Sequence, residues 1–344
     1  MQALGLGNIS SITGVAPVSA PTAAFGKMSE VSKGKDSTSG HWELTGIISP
    51  IDFDYFPHGF PPEMMENFMR VTGCKGFLGN KAASGTEIIK ELGEEHIRTG
   101  FPIVYTSADS VFQIAAHEAH FGLERLYEIC DLTRHIVLKD NFVGRVIARP
   151  FVGESSDTFK RTTNRRDYSL DPPADTVLNH LQKGGVKTIA IGKIGDLFNE
   201  KGLDVVIHTK SNNEGCEQTL KNMQGNQNSF IMTNLVDFDV YFGHRLDPQG
   251  FKNALEDFDK FLPKILEAMD ETDVLLITAD HGNDPTVTST DHTREYVPVL
   301  LTGKGVSPVN LGTRKTFADA GKTVLEWFGL SAQISGESFF RWNS

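Results

Sequence analysis

Two histidines and an aspartate late in the chain have the types and spacing of a metal site. Asp280 and His281 directly follow a predicted apolar strand over residues 273–278, and His292 comes eleven residues after His281. Because side chains alternate between the faces of a strand, two adjacent polar side chains suit the open edge of a sheet better than a core. Carboxylate and imidazole are ligands for Zn²⁺ or Mn²⁺. The pattern predicts a metal site, with a capped loop bearing a surface histidine as the alternative.

A second pair of possible ligands follows another predicted strand, over residues 229–236. Asp239 and His244 lie five residues apart, which allows a loop or a first helical turn to wrap around one ion. Alone, the aspartate is just as typical of a helix N-cap. If both strands belong to one parallel sheet, however, their C-terminal ends share a crevice. The five side chains together would then suffice for two metal ions that clamp the oxygens of a phosphoryl group.

Phosphoryl transfer between two metals commonly needs a nucleophile, and a run of three hydroxyl side chains offers one. Ser37, Thr38 and Ser39 lie in a glycine-flanked segment, with Asp36 before them and Glu43 after them. At a helix start, free backbone N–H groups and the helix dipole would stabilise a phosphate. Metal coordination would also lower the pKa of one hydroxyl and activate it. The alternative is a plain Ser or Thr N-cap.

Alternating helices and strands predict the scaffold that positions these groups. Strands are predicted over residues 186–191, 229–236, 273–278 and 296–302, and helices over residues 176–182, 251–269 and 316–328. In the longest helix, apolar residues recur every three or four positions from Phe251 through Leu255 and Phe258 to Met269, which indicates one buried face. We therefore expect an α/β fold with a mostly parallel sheet between helices.

Residues 51–171 differ in composition from the rest of the chain. They are rich in aromatic residues and in Pro-Pro and Phe-Pro turns, and they include a predicted strand over residues 145–150. A chain of 344 residues is also longer than one core usually supports. We therefore predict an inserted smaller α+β domain over residues 51–171, with residues 1–50 and 172–344 forming the core.

Composition excludes several functional classes. The formal net charge of −11 argues against nucleic acid or an anionic membrane as the main partner. Three scattered cysteines form no metal knuckle or disulfide framework, which fits a reducing cytoplasm. No apolar run approaches the length of a membrane span. We expect a soluble, cytoplasmic protein that acts on a small molecule.

The motifs taken together resemble those of the phosphopentomutases, members of the alkaline phosphatase superfamily. The resemblance runs in order from about Leu4 to the end of the chain, through GKDSTSGHWE, GNKAASGTEI, YTSADS, RVIARPFVGE, NLVDFD, TADHGNDP and TDHTREYVP. It implies an alkaline-phosphatase-like core with an inserted cap domain. It further implies an isomerase that interconverts α-D-ribose 1-phosphate and D-ribose 5-phosphate, and their 2-deoxy counterparts. A phosphoenzyme and a 1,5-bisphosphate intermediate would carry the phosphoryl group.

The resemblance also implies the cofactors and the residues that hold them. Two Mn²⁺ ions would be bound, with Co²⁺ or Mg²⁺ as substitutes, and glucose 1,6-bisphosphate or ribose 1,5-bisphosphate would prime the phosphoenzyme. One ion would be held by Asp239, His244 and His292, and the other by Asp280 and His281. The nucleophile position falls on Ser37, where many relatives carry Thr, and Thr38 is the second choice.

Five further residues resemble family positions that contact the sugar phosphate. Ser107 and Asp109 would contact the sugar, while Arg149, Arg165 and Lys193 would bind the distal phosphate, which suits cations with several donors. The alternatives are structural. Arg165 could be a solvated surface charge, Lys193 a cation at a strand end, and Asp109 the N-cap of a helix over residues 110–117.

One departure from the family pattern concerns the start of the chain. Family members begin with an apolar strand whose terminal Asp binds the second metal, whereas no Asp occurs here before Asp36. We therefore expect the chain to lack that strand and that ligand. Two rival functions follow: a two-metal phosphatase or phosphodiesterase, and an inactive, truncated metal-binding remnant.

Overall fold

The polypeptide forms two units in the computed structural model, which describes residues 1–107, 109–225 and 227–340. The first unit consists of Met1–Pro50 and Asp171–Ser344, and the second unit of Ile51–Leu170. The described strands of each unit pair only with strands of the same unit, and each unit has its own apolar clusters.

The helices and strands follow one another along the chain in a mixed α/β order. The first unit opens with α1 (Leu6–Ile9), β1 (Ala24–Met28) and α2 (Ser37–Leu44). The second unit contains α3 (Pro62–Thr72), β2 (Leu78–Ala82), α4 (Gly85–Thr99), β3 (Ile103–Thr106), β4 (Val111–His117), α5 (Leu123–Leu132), β5 (Arg145–Val152), β6 (Lys160–Arg161) and β7 (Arg166–Ser169). The first unit resumes with α6 (Val177–Lys183), β8 (Lys187–Ile191), α7 (Ile194–Leu197), β9 (Val205–Ile207), α8 (Asn212–Met223), β10 (Ser229–Thr233), α9 (Pro248–Ala268), β11 (Val274–Ile277), β12 (Val297–Gly303), β13 (Asn310–Arg314) and α10 (Ala318–Trp327). Among the described residues, π-helical turns are also formed by Glu118–Gly122, Thr133–Val137 and Phe238–Gly243.

The strands of the first unit lie in two sheets rather than in the single sheet expected from the sequence. One sheet has the order β10-β8-β9 and is parallel throughout. The other has the order β11-β12-β1-β13, in which only β1 and β13 run parallel. The antiparallel pairing of β11 with β12 is possible because a loop, and not a crossover helix, joins these strands. The expected α/β fold is present, with a mixed second sheet.

Helix α9 packs on the mixed sheet as its apolar periodicity predicts. Phe258, Leu262 and Leu266 contact a cluster that includes Phe25 of β1 and Leu300 of β12. Asp247 caps the helix by accepting a hydrogen bond from the backbone N–H of Gly250 at 2.9 Å. One member of the predicted stripe differs: Leu255 is 40% exposed, so the buried face is narrower than the sequence indicates.

The candidate metal ligands follow the C-terminal ends of strands β10 and β11. Each is the last strand of its sheet, and the side chains of both are only half-buried. The chain continues from β10 to Asp239 and from β11 to Asp280. The ends of two separate sheets, and not of one, therefore position the candidate ligands.

The second unit is built on one mixed sheet with the order β2-β3-β4-β5-β6, and β7 also pairs with β5. The alternative of a helix over residues 110–117 capped by Asp109 is wrong, because Val111–His117 is strand β4. All seven of its residues are buried, and it lies between β3 and β5. Pairing on both sides supplies the backbone hydrogen bonds that a helix would otherwise provide.

Within the described parts of the chain, no helix is long and apolar enough to cross a membrane.

Candidate metal centre and nucleophile

Three side chains from two loops of the first unit converge on one point. Asp239 lies in the π-helical turn after β10, His244 follows that turn, and His292 lies in the loop between β11 and β12. Their ligating atoms all lie within 4.8 Å of one another. His292 Nε2 lies 3.0 Å from Asp239 Oδ1, and His244 Nε2 lies 3.2 Å from Asp239 Oδ2. One carboxylate and two imidazoles in this arrangement fit a single divalent cation.

Hydrogen bonds around this cluster orient its members as ligands. His244 Nδ1 lies 2.7 Å from the carbonyl oxygen of Thr290, to which it can only donate. In the neutral ring the lone pair is then on Nε2, and this atom faces His292 Nε2 at 3.2 Å. Asn283 Nδ2 donates to Asp239 Oδ1 and fixes that carboxylate. Such outer contacts set the tautomer and orientation of metal ligands.

The titration of the cluster also fits a cation site. Burial raises the pKa of Asp239, but hydrogen bonding and the charge of His292 outweigh burial, so its pKa lies below the ordinary value. Burial lowers the pKa of His292, and Asp239 raises it by more, so its pKa lies above the ordinary value. A metal ion would replace the proton that these two side chains share.

Asp280 and His281 form a second group beside the first. Asp280 Oδ2 lies 3.3 Å from His281 Nε2, and the Oγ atom of Ser37 lies 3.1 Å from the same nitrogen. The His281 ring stacks on the His292 ring with centroids 3.8 Å apart. The two predicted ligand groups and the predicted nucleophile therefore meet at one place in the first unit.

Helix α2 brings Ser37 to this place through an unusually close backbone contact. A Cβ atom on Gly40 would lie 1.8 Å from the carbonyl oxygen of Asp280, so only glycine permits the approach. His41 Nδ1 lies 3.0 Å from Asp280 Oδ2 and 2.8 Å from the carbonyl oxygen of Ser37. Helix α2 therefore contacts the candidate ligand Asp280 both through its backbone at Gly40 and through the side chain of His41.

Charges keep Asp280 ionised in this buried position. Burial raises its pKa, but the charge and hydrogen bond of His41, with an electrostatic contribution from His281, outweigh burial, and the pKa lies well below the ordinary value. Burial lowers the pKa of His41, and the charge and hydrogen bond of Asp280 raise it above the ordinary value. Asp280 is therefore available as an anionic ligand.

The cap of helix α2 differs from both sequence interpretations. The N-cap is Asp36, not a serine or threonine, and its Oδ1 accepts hydrogen bonds from the N–H groups of Thr38 at 2.9 Å and Ser39 at 3.2 Å. Ser39 Oγ donates to Asp36 Oδ2 at 2.7 Å. These two N–H groups are therefore already bonded, and they are not the free phosphate donors that the sequence suggested. The hydroxyl group that these contacts place beside a candidate ligand is that of Ser37, whose Oγ lies next to His281.

The five predicted substrate contacts are divided between the units. Lys193 belongs to the first unit, where it is exposed and directly precedes α7. Ser107, Asp109, Arg149 and Arg165 belong to the second unit. Asp109 is exposed and its Oδ2 lies 3.8 Å from Arg145 Nη2.

The two arginines of the second unit have different surroundings. Arg149 Nη2 donates to Gln113 Oε1 at 2.9 Å, whereas its buried Nε has no hydrogen-bond partner among the described residues. Arg165 binds Asp167 with Nε at 2.7 Å and Nη2 at 2.6 Å. Burial raises the pKa of Tyr105, and the charges of both arginines offset part of that rise, so both lie near this tyrosine.

Comparison with known proteins agrees with this metal chemistry. The model of the Metalloenzyme superfamily matches residues 3–332. The phosphopentomutase of Alkaliphilus oremlandii is 52% identical over 340 residues, which cover 98% of this chain and 87% of that protein. The chain belongs to the phosphopentomutase family. Phosphopentomutases of Symbiobacterium thermophilum and Clostridioides difficile are each 52% identical to it; they cover 98% of this chain, and it covers 86% and 87% of them.

Family membership confirms the resemblance seen in the motifs and the expectation of an enzyme that uses divalent metal ions. Two residues of the candidate site were not predicted from the sequence: Asn283 and His41. Each lies inside a motif that the sequence already linked to function, so the available signal for a role in the site was a polar side chain at that position. Their partners are distant in sequence, and the contacts themselves could not be foreseen.

Proposed function

We propose that this chain catalyses the phosphopentomutase reaction, the interconversion of α-D-ribose 1-phosphate and D-ribose 5-phosphate and of their 2-deoxy counterparts. The observation that carries the proposal is the contact of 3.1 Å between Ser37 Oγ and His281 Nε2 at the meeting point of the two ligand groups. A helix-start hydroxyl beside candidate metal ligands suits a phosphoryl carrier. The relatives at 52% identity carry the name of this reaction.

The metal centre would hold two divalent cations. Asp239, His244 and His292 would bind one, and Asp280 with His281 would bind the other. Mn²⁺ is the proposed ion, with Co²⁺ or Mg²⁺ as substitutes. The carboxylates suit Mn²⁺ and Mg²⁺, and the imidazoles suit first-row transition metals. When bound, the ions would neutralise charge on the phosphoryl oxygens and lower the pKa of the Ser37 hydroxyl.

Ser37 would carry the phosphoryl group between the two sugar oxygens. In the first half, a sugar hydroxyl oxygen bonds to phosphorus as the bond from phosphorus to Ser37 Oγ breaks, which gives a 1,5-bisphosphate. In the second half, Ser37 Oγ accepts the other phosphoryl group, and the sugar oxygen that is released regains a proton. The proton lost in one half is returned in the other, so the overall reaction is a balanced isomerisation. Glucose 1,6-bisphosphate or ribose 1,5-bisphosphate would supply the first phosphoryl group.

The second unit would act as the cap of the enzyme and the first unit as its catalytic core. Ser107 and Asp109 would contact the sugar, and Arg149, Arg165 and Lys193 would bind the distal phosphate. The buried Nε of Arg149, without a hydrogen-bond partner among the described residues, supports an anion-binding role. Arg165 would exchange its bidentate contact with Asp167 for the phosphate. A cytoplasmic location suits a sugar-phosphate substrate.

Phosphopeptide mapping tests the proposed carrier. The Mn²⁺-loaded protein is incubated with glucose 1,6-bisphosphate, digested and analysed by mass spectrometry. We expect one added phosphoryl group, on Ser37. Phosphate on Thr38 would reassign the nucleophile, and release of inorganic phosphate without a phosphoenzyme would favour the rival two-metal phosphatase.

A further inference from the structure

An arginine from the loop of His292 holds the segment that leads to Ser37. We call residues 30–36 the nucleophile loop and residues 291–294 the ligand loop. Arg294 Nη2 donates to the carbonyl oxygens of Lys33 and Gly34, at 3.0 Å each. Its Nη1 also lies 3.4 Å from the carbonyl oxygen of Glu30. One guanidinium group therefore binds three carbonyls of the nucleophile loop, which suits its planar, multi-donor geometry.

The carboxyl group of Glu30 contacts the same guanidinium group and orients it. Its Oε2 lies 3.1 Å from Arg294 Nη1, and its side chain is only 1% exposed. Its other oxygen, Oε1, is buried without a hydrogen-bond partner among the described residues. Burying a carboxyl group that is only partly satisfied costs stability, and Glu43, Asp36 and Asp280 add negative charge nearby. A role in stability alone does not account for such a side chain.

The nucleophile loop makes further contacts with the ligand loop and with helix α2. Lys35 Nζ donates to Asp291 Oδ2 and to the carbonyl oxygen of His292. On the other side, buried Glu43 accepts hydrogen bonds from the N–H groups of Val31 and Ser32. The nucleophile loop and the ligand loop are therefore joined by one cation from each, with Arg294 two residues after a candidate ligand.

We propose that Arg294, oriented by Glu30, is a positioning residue that sets Ser37 against the metal centre by holding the carbonyls of Lys33 and Gly34. This inference rests on the proposed role of Ser37. A reacting atom has to be held within a fraction of an ångström, and a displacement of about 1 Å can cost about 10²-fold in rate. Arg294 does not need to contact the substrate for this effect.

Three variants of the Mn²⁺-loaded protein test the proposal. Arg294→Met removes every donor. Arg294→Lys keeps the charge but has one nitrogen with three donors, too few for the three carbonyls and the Glu30 carboxylate that Arg294 contacts. The matched control is Arg314→Met, because Arg314 likewise donates to a buried carboxylate, Asp319, at 2.7 Å and to a backbone carbonyl, that of Glu337, at 3.1 Å. For each variant, amide hydrogen exchange in residues 31–38, bound Mn²⁺, kcat and KM are measured.

We expect both Arg294 variants to exchange faster in residues 31–38 and to lose about 10²-fold in kcat. Bound Mn²⁺ and KM stay near the wild-type values, since neither the ligands nor the substrate contacts change. Arg314→Met alters neither the exchange nor kcat. Unchanged exchange in the loop overturns the proposal, as does faster exchange with an unchanged kcat. If the wild type itself has no turnover, the proposed function fails, while the exchange data alone still decide whether Arg294 holds the loop.

Discussion

The Nε2 atoms of His244 and His292 face each other at 3.2 Å, with the Asp239 carboxylate beside both. Two imidazole nitrogens approach in this way when a proton or a metal ion lies between them and a neighbouring acceptor. His244 Nδ1 donates to a carbonyl, so in the neutral ring the Nε2 lone pair points into the cluster. This arrangement leaves the three side chains able to hold one metal ion between them.

Loss of His292 should weaken metal binding strongly. His292→Ala removes one of three ligands, and we expect the affinity of the first metal ion to fall by more than about 10²-fold, since even outer-sphere changes cost about 10–100-fold. Calorimetric titration of the metal-free protein with Mn²⁺ measures this. His208→Ala, at an exposed histidine of the same unit, is the control and should bind as the wild type does. Equal affinities in the two variants would remove His292 from the site.

Loss of the Ser37 hydroxyl should abolish phosphoenzyme formation without loss of stability. Ser37→Ala removes the oxygen beside His281 but leaves the Asp36 cap of α2 in place. The control is Ser211→Ala, at the start of α8, which should cost about 1 kcal/mol of stability as a lost N-cap and keep its phosphoenzyme. Intact-mass measurement after incubation with glucose 1,6-bisphosphate separates the two. Normal phosphorylation of Ser37→Ala would contradict the assignment.

Adding a methyl group at Gly40 should separate α2 from Asp280. The new Cβ would lie 1.8 Å from a backbone oxygen, so the helix has to shift, at a cost of about 1–3 kcal/mol in the free energy of unfolding. Phosphoenzyme formation should fall with it, because the same helix begins at Ser37. In Gly215→Ala, the control, the methyl group comes close only to the flexible end of Leu235, at 2.9 Å, and meets Thr233 and Thr209 at ordinary contact distances. Urea unfolding and intact mass report the two effects, and a fully active Gly40→Ala protein would disprove the close contact.

Glu30 should make stability depend on pH. Burial, with smaller effects of neighbouring charges, raises its pKa from 4.5 to about 8. The folded state then holds a proton that the unfolded state has released, so this contribution to stability is complete below pH 4.5 and is lost as the pH rises toward 8.

Glu30→Gln mimics the neutral form and should match the wild type at about pH 5 but exceed it by at least about 1 kcal/mol at about pH 9. Urea unfolding at both pH values measures the difference. Glu326→Gln, at an exposed carboxyl group, should show no such change. A Glu30→Gln protein with the same advantage at both pH values would contradict the raised pKa.

Local patterns predicted much of the first unit, and distant contacts account for the differences. The periodicity of α9 and the apolar runs of β11 and β12 depend on neighbouring residues, and these elements formed as expected. The separation into two sheets could not be foreseen, because strand order is set by long-range pairing. Long-range pairing also explains why the helix considered for residues 110–117 is absent: this segment is strand β4, which pairs with a strand on each side.

Within the site, residue types were more predictable than their roles. The sequence shows Asp36 directly before three hydroxyl residues. Which of these residues caps the helix, however, depends on side-chain geometry at the first turn. The contact between Gly40 and Asp280 joins residues far apart in sequence, as do those between Arg294 and the nucleophile loop. Such contacts depend on the tertiary fold and have no local sequence signal.

Phosphorus NMR of ribose 1-phosphate, incubated with this protein, Mn²⁺ and a trace of glucose 1,6-bisphosphate, tests the central claim most directly. The account predicts that the ribose 1-phosphate signal declines as that of ribose 5-phosphate grows, with no inorganic phosphate released and no change in the Ser37→Ala sample. An unchanged wild-type spectrum, or growth of inorganic phosphate alone, would contradict it.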